Sequence, residues 1–337
     1  MSKVAAFGEV MMRLQVPGYE TLERSSRLDY SFSGSGVNVA AALARYGHTG
    51  YIITTLPDTP VGDAALAYLR KLGIDTDYVN RGGKQLGMYF LENGFGVRPG
   101  RVTYSDRLGS SFNTSPPESY EAAVIASHIE VLHLCGITLA MNDNVRLQMK
   151  QLAAEVKGAG GKVVFDCNYR PTLWGDDGYA KARPHYEDLL ELADIAMMNE
   201  KDAEYILGIQ VGEYDRITQL KQAIPEVARR FRLQTVAGTH REINGDNTHS
   251  LTGYIYSGET FRFSRKLTFS VHDRIGAGDA FASAIIHGEL KGDALQHTVD
   301  RAAAAAMLAH TVAGDTALFT ESEVSRVMTD HIGDVER

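Results

Sequence analysis

Residues 272–283 read His-Asp-Arg-Ile-Gly-Ala-Gly-Asp-Ala-Phe-Ala-Ser. Gly276 and Gly278 let the backbone turn tightly and aim successive N–H groups one way, with Ala277 between them. The helix-forming run that begins near Gly278 adds its positive dipole end. Together these make an anion hole suited to a phosphoryl group in transit. Asp279 follows in the first helical turn, where an acid is ordinarily a partner for the dipole. Beside a phosphate cradle it has a further use: it can take the proton from a hydroxyl as that oxygen attacks a terminal phosphate. The rest of such a transfer is positioning and charge neutralisation, so one base and one anion hole make a site.

Elements that could hold this loop are legible on either side of it. Val4 to Phe7 reads as a strand, residues 37–46 as a helix stopped by Gly47, and Tyr51 to Thr55 as a strand. Val61 to Leu72 is helical, with Ala65, Leu69 and Leu72 on one face. Val145, Met149, Leu152 and Val156 form another helical stripe, ending in Gly158-Ala159-Gly160-Gly161. Lys162 to Phe165 reads as a buried strand, 181–193 as a helix and Ile195 to Met198 as a short strand. Helices alternating with short apolar strands predict a parallel sheet covered on both faces. Ligands gather at the carboxyl ends of such strands. Polar clusters fall there: Asp166-Cys167-Asn168-Tyr169-Arg170, Asn199-Glu200 and Gly238-Thr239. Residues 10–33 and 86–106 instead alternate apolar and polar, which predicts strands of a separate small sheet. These two pieces are expected to form a lid over an α/β core made of 1–9, 34–85 and 107–337.

Bulk properties narrow the function. The 337 residues carry a formal charge of −8, from 42 acidic and 34 basic side chains. That argues against a general nucleic-acid or membrane-surface binder, whose affinity needs a basic face. Hydrophobic residues, at 44%, can supply a large core. Cys135 and Cys167 are not in a Cys-x-x-Cys pair, so no zinc or redox motif is visible and both read as buried thiols. The first residues read as a strand rather than a secretory leader, and no apolar run approaches the ~18 residues of a membrane span. A reducing cytoplasm fits these features.

Asp273-Arg274-Ile275-Gly276-Ala277-Gly278-Asp279-Ala280-Phe281 resembles the C-terminal signature of the ribokinase-like (PfkB) carbohydrate kinases, Asp-Thr-x-Gly-Ala-Gly-Asp-x-Phe, with Arg at 274 as the departure. The resemblance implies a three-layer α/β/α core with a mainly parallel sheet and a β-sheet lid. It also implies ATP and Mg²⁺ as cofactors, Asp279 as catalytic base, and Gly276, Ala277 and Gly278 as the anion hole. Asp273 matches the residue that often helps bind a monovalent cation such as K⁺. Ser33-Gly34-Ser35-Gly36-Val37-Asn38-Val39-Ala40 resembles the family's N-terminal Gly-Gly-x-x-x-Asn-x-Ala stretch, so Gly34, Gly36 and Asn38 are expected to approach the substrate. The rival reading of Gly34-Ser35-Gly36 as a dinucleotide fingerprint lacks its third glycine, because Val39 occupies that place. Asn199-Glu200-Lys201-Asp202 resembles the Asn-x-x-Glu motif that orders water around Mg²⁺, with Asp202 one methylene shorter. Gly238-Thr239-His240-Arg241-Glu242 resembles the nucleotide-side loop of the family's 2-keto-3-deoxygluconate kinases. Gly238, Thr239 and Arg241, with Asn168, are therefore implied nucleotide contacts.

Which sugar is phosphorylated turns on local cations. Arg98, Arg101, Arg107 and Arg170 are candidates for an anionic substrate. Asp166-Cys167-Asn168-Tyr169-Arg170-Pro171-Thr172-Leu173-Trp174 resembles the Asp-x-Asn-x-Arg-x-x-Leu-Trp segment of sugar-acid kinases, whose Arg holds the substrate carboxylate; a guanidinium matches that group bidentately. Tyr104-Ser105-Asp106-Arg107 and Tyr89 resemble substrate-contacting segments of 2-keto-3-deoxygluconate kinases, and Gly314-Asp315 the pair that closes the pocket near the acceptor hydroxyl. The expectation is an ATP-dependent kinase of such a sugar acid acting at its 6-hydroxyl. A kinase of a neutral sugar such as fructose or ribose is the nearest alternative, and a non-catalytic sugar or nucleotide binder the alternative from another class. Lids of this family often pair, so a homodimer through the lid is also expected.

Overall fold

The computed structural model describes residues 1–212 and 215–328. The chain opens with β1 (Lys3–Phe7), β2 (Met11–Gln15), β3 (Asp29–Ser33), α1 (Ser35–Arg45), β4 (Thr49–Leu56), α2 (Pro60–Lys71), β5 (Val79–Arg81), β6 (Gly87–Glu92) and β7 (Arg101–Ser105). It continues through α3 (Ala122–His128), β8 (Val131–Cys135), α4 (Gly136–Leu139), α5 (Asp143–Gly158), β9 (Lys162–Asp166), α6 (Pro171–Trp174), α7 (Gly178–Leu190) and β10 (Ile195–Met197). Last come α8 (Arg216–Phe231), β11 (Thr235–Ile243), β12 (His249–Ser257), β13 (Thr260–Phe263), β14 (Leu267–Phe269), α9 (Ala277–Lys291), α10 (Leu295–Ala309) and α11 (Glu321–Met328).

The main sheet has ten strands in the order β13-β12-β11-β10-β9-β8-β1-β4-β5, with β14 added on β12. From β11 to β5 the pairings are parallel, while β12 is antiparallel to β11, β13 and β14. Central strands are apolar on both faces, as in Val163-Val164-Phe165, because helices cover both. Ala5, Phe7, Leu132 and Leu134 pack against the buried stripes of α5, α7 and α8. Val4, Val131, Val164 and Ile195 pack against α1, α9 and α10 on the opposite face, and Ala6 and Ile52 pack beside α2. The result is the three-layer α/β/α architecture expected from the alternation.

Local sequence sets the helix ends. The Thr59 side chain accepts from Gly62 N–H and Pro60 starts α2, while Asn142 caps α5 by accepting from Val145 N–H. Several element boundaries differ from expectation, and one segment changes type. α1 begins at Ser35 rather than 37, because Gly34 already carries the turn. α7 runs 178–190 rather than 181–193. Residues 238–242 are not a loop: they lie inside β11 and pair one by one with β12 from Tyr254 to Ser250.

A separate four-stranded sheet has the order β3-β2-β6-β7. Its register sets Ser31, Arg13, Tyr89 and Tyr104 in one lateral row. Successive side chains alternate faces, so Tyr30, Leu14, Phe90 and Thr103 form a row on the opposite face. The first row faces the core: Met11, Tyr89 and Leu91 pack with Tyr104 and with Ile275 of the Asp273–Asp279 loop.

Candidate active site

Gly276 caps α9 with φ +83°, so the chain enters the helix through a left-handed residue. A Cβ there would stand 1.7 Å from the Asp315 carbonyl oxygen, which fixes residue 276 as glycine and sets the Gly314–Asp315 loop against the anion hole. At Gly278 a Cβ would meet nothing within 4 Å, leaving room for a ligand beside the N–H groups of the helix start. Asp279 is buried in the first turn. Ser35 Oγ donates to its Oδ1 at 2.6 Å and Asn38 Nδ2 to its Oδ2 at 2.7 Å. Both come from the start of α1, so two helix N-termini meet at one carboxylate. Asn38 is in turn held by Thr316, whose hydroxyl donates to its Oδ1 at 3.0 Å. Burial raises the Asp279 pKa above the ordinary carboxylate value, against the opposing pull of Asn38, Ser35 and the Arg170 charge. Ser35 and Thr316 were not singled out from sequence. Ser35 read only as an interruption between two glycines.

On the lid side, Arg107 is buried and donates through Nε and Nη2 to Glu9 Oε2 at 2.9 and 2.7 Å. Its guanidinium lies 4.9 Å from the Tyr104 ring centroid. Arg107 Nη1 and Glu9 Oε1 are buried without a protein partner, which leaves a donor and an acceptor for a bound molecule. Glu9, at the end of β1, carried no sequence signal beyond its place after a strand. Tyr89 Oη donates to Asp315 Oδ2 at 2.5 Å and lies 2.9 Å from Ser33 Oγ. Burial pushes its phenol up to about 12. Arg170 is exposed just past β9, with Nη1 donating to the Tyr169 carbonyl at 3.2 Å. Its charge acts on Asp166, Asp202 and Asp279 alike. Arg98 and Arg101 stand apart: Arg98 donates to the Tyr19 carbonyl and Arg101 is 3.8 Å from Glu92. Gly34 and Gly36 are close-approach positions. A Cβ on Gly34 would lie 2.3 Å from the Glu9 carbonyl oxygen, and one on Gly36 would lie 2.9 Å from Ile52.

The nucleotide side is more mixed. Asn168 has a left-handed φ of +33°, and its Nδ2 lies 3.1 Å from Cys135 Sγ. Both cysteines are free and buried, and burial pushes Cys135 up to about 12. Asn199 and Asp202 cap each other: Asn199 N–H donates to Asp202 Oδ2 at 2.9 Å, and Asn199 Oδ1 accepts from Lys201 and Asp202 N–H. Burial lifts Asp202 to about 6, although the Asn199 N–H bond and Arg170 pull the other way. Glu200 turns inward to Arg216 at 2.6 Å and His240 at 3.2 Å. Burial opposes its ionisation, but those two partners outweigh it and hold Glu200 at about 2. Gly238 has a packing role, since a Cβ would lie 2.1 Å from the Met198 carbonyl oxygen. Thr239 and Arg241 are half-buried. Burial first, and then the Arg274 charge, lower Arg241 to about 10.

Asp166 carried no role of its own in its polar cluster or in the sugar-acid kinase segment, yet its charge couples to Asp279 and Asp202. Burial, and then the Asp279 charge, push it to about 8. Three acids that resist ionisation together suit a site awaiting cationic charge. Among the described residues no group of three or more His, Cys, Asp or Glu is placed to hold a metal directly. The water-mediated Mg²⁺ role expected of Asp202 would need a cation carried in on the nucleotide phosphates. The monovalent-cation expectation at Asp273 meets a different environment. Its Oδ1 accepts from Arg274 N–H at 2.6 Å and Ile275 N–H at 3.1 Å, and its Oδ2 from Gly314 N–H at 3.2 Å and Arg13 Nη2 at 3.1 Å. A carboxylate offers about four lone-pair directions; all are taken, one by a guanidinium, and a cation does not fit there.

A doubly covered parallel sheet, a glycine-flanked helix start with a buried acid in its first turn, and a small separate sheet packed on the loop before it are the architecture of a sugar phosphotransferase. The chain belongs to the pfkB family of carbohydrate kinases, whose profile matches residues 1–322. It is 30% identical to the 2-dehydro-3-deoxygalactonokinase of Haloferax volcanii, across 100% of this chain and 99% of that one. A candidate 2-keto-3-deoxygluconate kinase from Enterococcus faecalis superposes with a TM-score of 0.96 at 35% identity, covering 100% and 99% of the two chains. The 2-dehydro-3-deoxygluconokinase of Thermotoga maritima gives 0.92 at 34% identity, over 97% and 98%.

Proposed function

We propose that this kinase transfers the γ-phosphoryl group of ATP to the 6-hydroxyl of a 2-keto-3-deoxy sugar acid. The observation that carries this reading is the Asp279 carboxylate, fixed by Ser35 and Asn38 directly behind the Gly276–Gly278 hole. The substrate oxygen attacks the γ-phosphorus as its proton passes to Asp279, and the bond to the bridging oxygen of ADP breaks. N–H groups of Gly276 to Gly278 meet the charge on the transferring group. Mg²⁺, when bound with ATP, neutralises phosphate charge. Arg107, through its unpartnered Nη1, and Arg170 anchor the carboxylate at the far end of the sugar, and Tyr89, Tyr104, Gly34 and Asp315 line the space between. Asn168, Asn199, Thr239 and Arg241 serve the nucleotide. The closed lid excludes water that would otherwise take the phosphoryl group.

The test is ADP release over a panel of 2-keto-3-deoxygluconate, its galactonate epimer, fructose and ribose, with ATP and Mg²⁺. Only the two acids are expected to turn over. Arg170→Met should cost the acids about 10–100-fold in kcat/KM, the worth of ~1.5–3 kcal/mol for a hydrogen bond to a charged group. An equal loss on a neutral sugar would remove the carboxylate role. The row Tyr30, Leu14, Phe90 and Thr103 supports a further proposal, a homodimer formed through the outer lid face. Tyr30 there is 63% exposed.

A further inference from the structure

Arg13 has no part in that reading, yet it is among the most buried side chains in the molecule. It stands on β2 in the lid with 2% of its side chain exposed. Its Nε reaches Gln15 Oε1 within the lid at 3.1 Å. The guanidinium crosses to the core, where Nη2 meets Asp273 Oδ2 at 3.1 Å and Nη1 forms an ion pair with Asp315 Oδ1. Those carboxylates are 5% and 4% exposed. Two buried acids share one buried cation, so truncating that cation would leave both without their countercharge. Tyr89, next to Arg13 in the same row, donates to the other Asp315 oxygen.

Both acids lead to the reacting centre. Asp273 begins the loop that becomes the anion hole, and its carboxylate holds the N–H groups of Arg274 and Ile275. Asp315 touches Gly276 through its backbone, and its neighbour Thr316 holds Asn38, which holds Asp279. We propose that Arg13 is a positioning residue that latches the closed lid to both loops. Its fixed charge does the work that a monovalent cation at Asp273 would otherwise do. The inference leans on the kinase reading only for its activity readout.

The test compares wild type, Arg13→Met and Arg13→Lys in KCl and in tetramethylammonium chloride at equal ionic strength, reading Tm as well as turnover. Wild type should show the same Tm and turnover in both salts. Arg13→Met exposes two uncompensated acids, so its Tm should fall and should recover partly in KCl but not in the bulky salt. Its turnover should drop about 10–100-fold through misplacement of the loop, with a raised KM for the sugar, and Arg13→Lys should lie between. A wild-type Tm that climbs in KCl alone overturns the proposal, as does an Arg13→Met protein with wild-type KM and wild-type Tm in both salts. If Arg13→Met does not fold, the wild-type salt comparison and Arg13→Lys decide. Because Tm needs no substrate, a failure to phosphorylate any sugar would count against the kinase reading and leave this test standing.

Discussion

At the scale of single residues, Asp166, Asp202 and Asp279 are acids kept from ionising easily, and this has consequences in opposite directions for rate and stability. Asp279→Asn removes the proposed base and should lower turnover ~10²–10⁴-fold in a steady-state assay. Because burial raises the Asp279 pKa, the acid limb of kcat/KM should lie above the pH where an ordinary aspartate titrates. Ser35→Ala removes a hydrogen bond that lowers that pKa, so it should move the limb further up; a limb that stays in place would detach Ser35 from the base. The linkage to stability runs the other way. Asp166 has a folded pKa of about 8 against 3.8 for the free side chain, so the folded ligand-free protein binds the proton more tightly than the unfolded chain. Its contribution is full below about pH 4 and is lost as the pH rises to about 8. Asp166→Asn should therefore raise Tm of the ligand-free protein at pH 8 and change it little at pH 4, as differential scanning fluorimetry can show. The same substitution should cost activity if this acid answers the metal-bound phosphates.

At the scale of elements, close backbone approach decides more than side-chain chemistry. Gly276→Ala combines a left-handed φ of +83° with a contact of 1.7 Å to the Asp315 carbonyl. The backbone conformation alone costs roughly 1–3 kcal/mol, so denaturant unfolding should show at least that loss, and turnover should fall because the anion hole and the Asp315 loop part together. A Cβ on Gly238 would likewise crowd the Met198 carbonyl oxygen, though without the left-handed φ, at a position the sequence leads one to expect as a nucleotide contact. This shows why the site was only partly legible. The Gly-Ala-Gly-Asp run and the helix after it could be read because their chemistry is local: turn, dipole and acid lie within four residues. The parallel core could be read because strands buried on both faces are apolar throughout. β11 misled because its polar end, Thr239 to Ile243, is half-covered by β12 alone, and a sheet edge with one antiparallel neighbour has the composition of a loop. Glu9, Ser35 and Arg13 were hidden because their partners lie far along the chain. Arg13 meets Asp273 across 260 positions, and nothing in Met11-Met12-Arg13-Leu14 distinguishes a latch from a solvated arginine on an alternating strand.

At the scale of the whole molecule, the lid faces two different demands. Its inner row carries Arg13, Tyr89 and Tyr104; its outer row carries the exposed Tyr30 and the half-buried Leu14 and Phe90, beside Phe32, which packs on Tyr68 of α2. A second lid laid across that face would bury Tyr30 and finish covering the half-buried Leu14 and Phe90. If that pairing holds the lid in register, association and catalysis are linked, because the strand that carries Leu14 also carries Arg13 next to it. Wild type should sediment as a dimer at micromolar concentration. Leu14→Glu with Phe90→Glu places four like charges at a two-fold contact and should give monomers, with Tm lowered and the sugar KM raised while the ATP KM moves less, since the proposed nucleotide contacts lie on the core. A double variant that still sediments as a dimer would move the interface elsewhere. One that is monomeric with an unchanged sugar KM would show that each lid, latched by its own Arg13, closes without help from a partner.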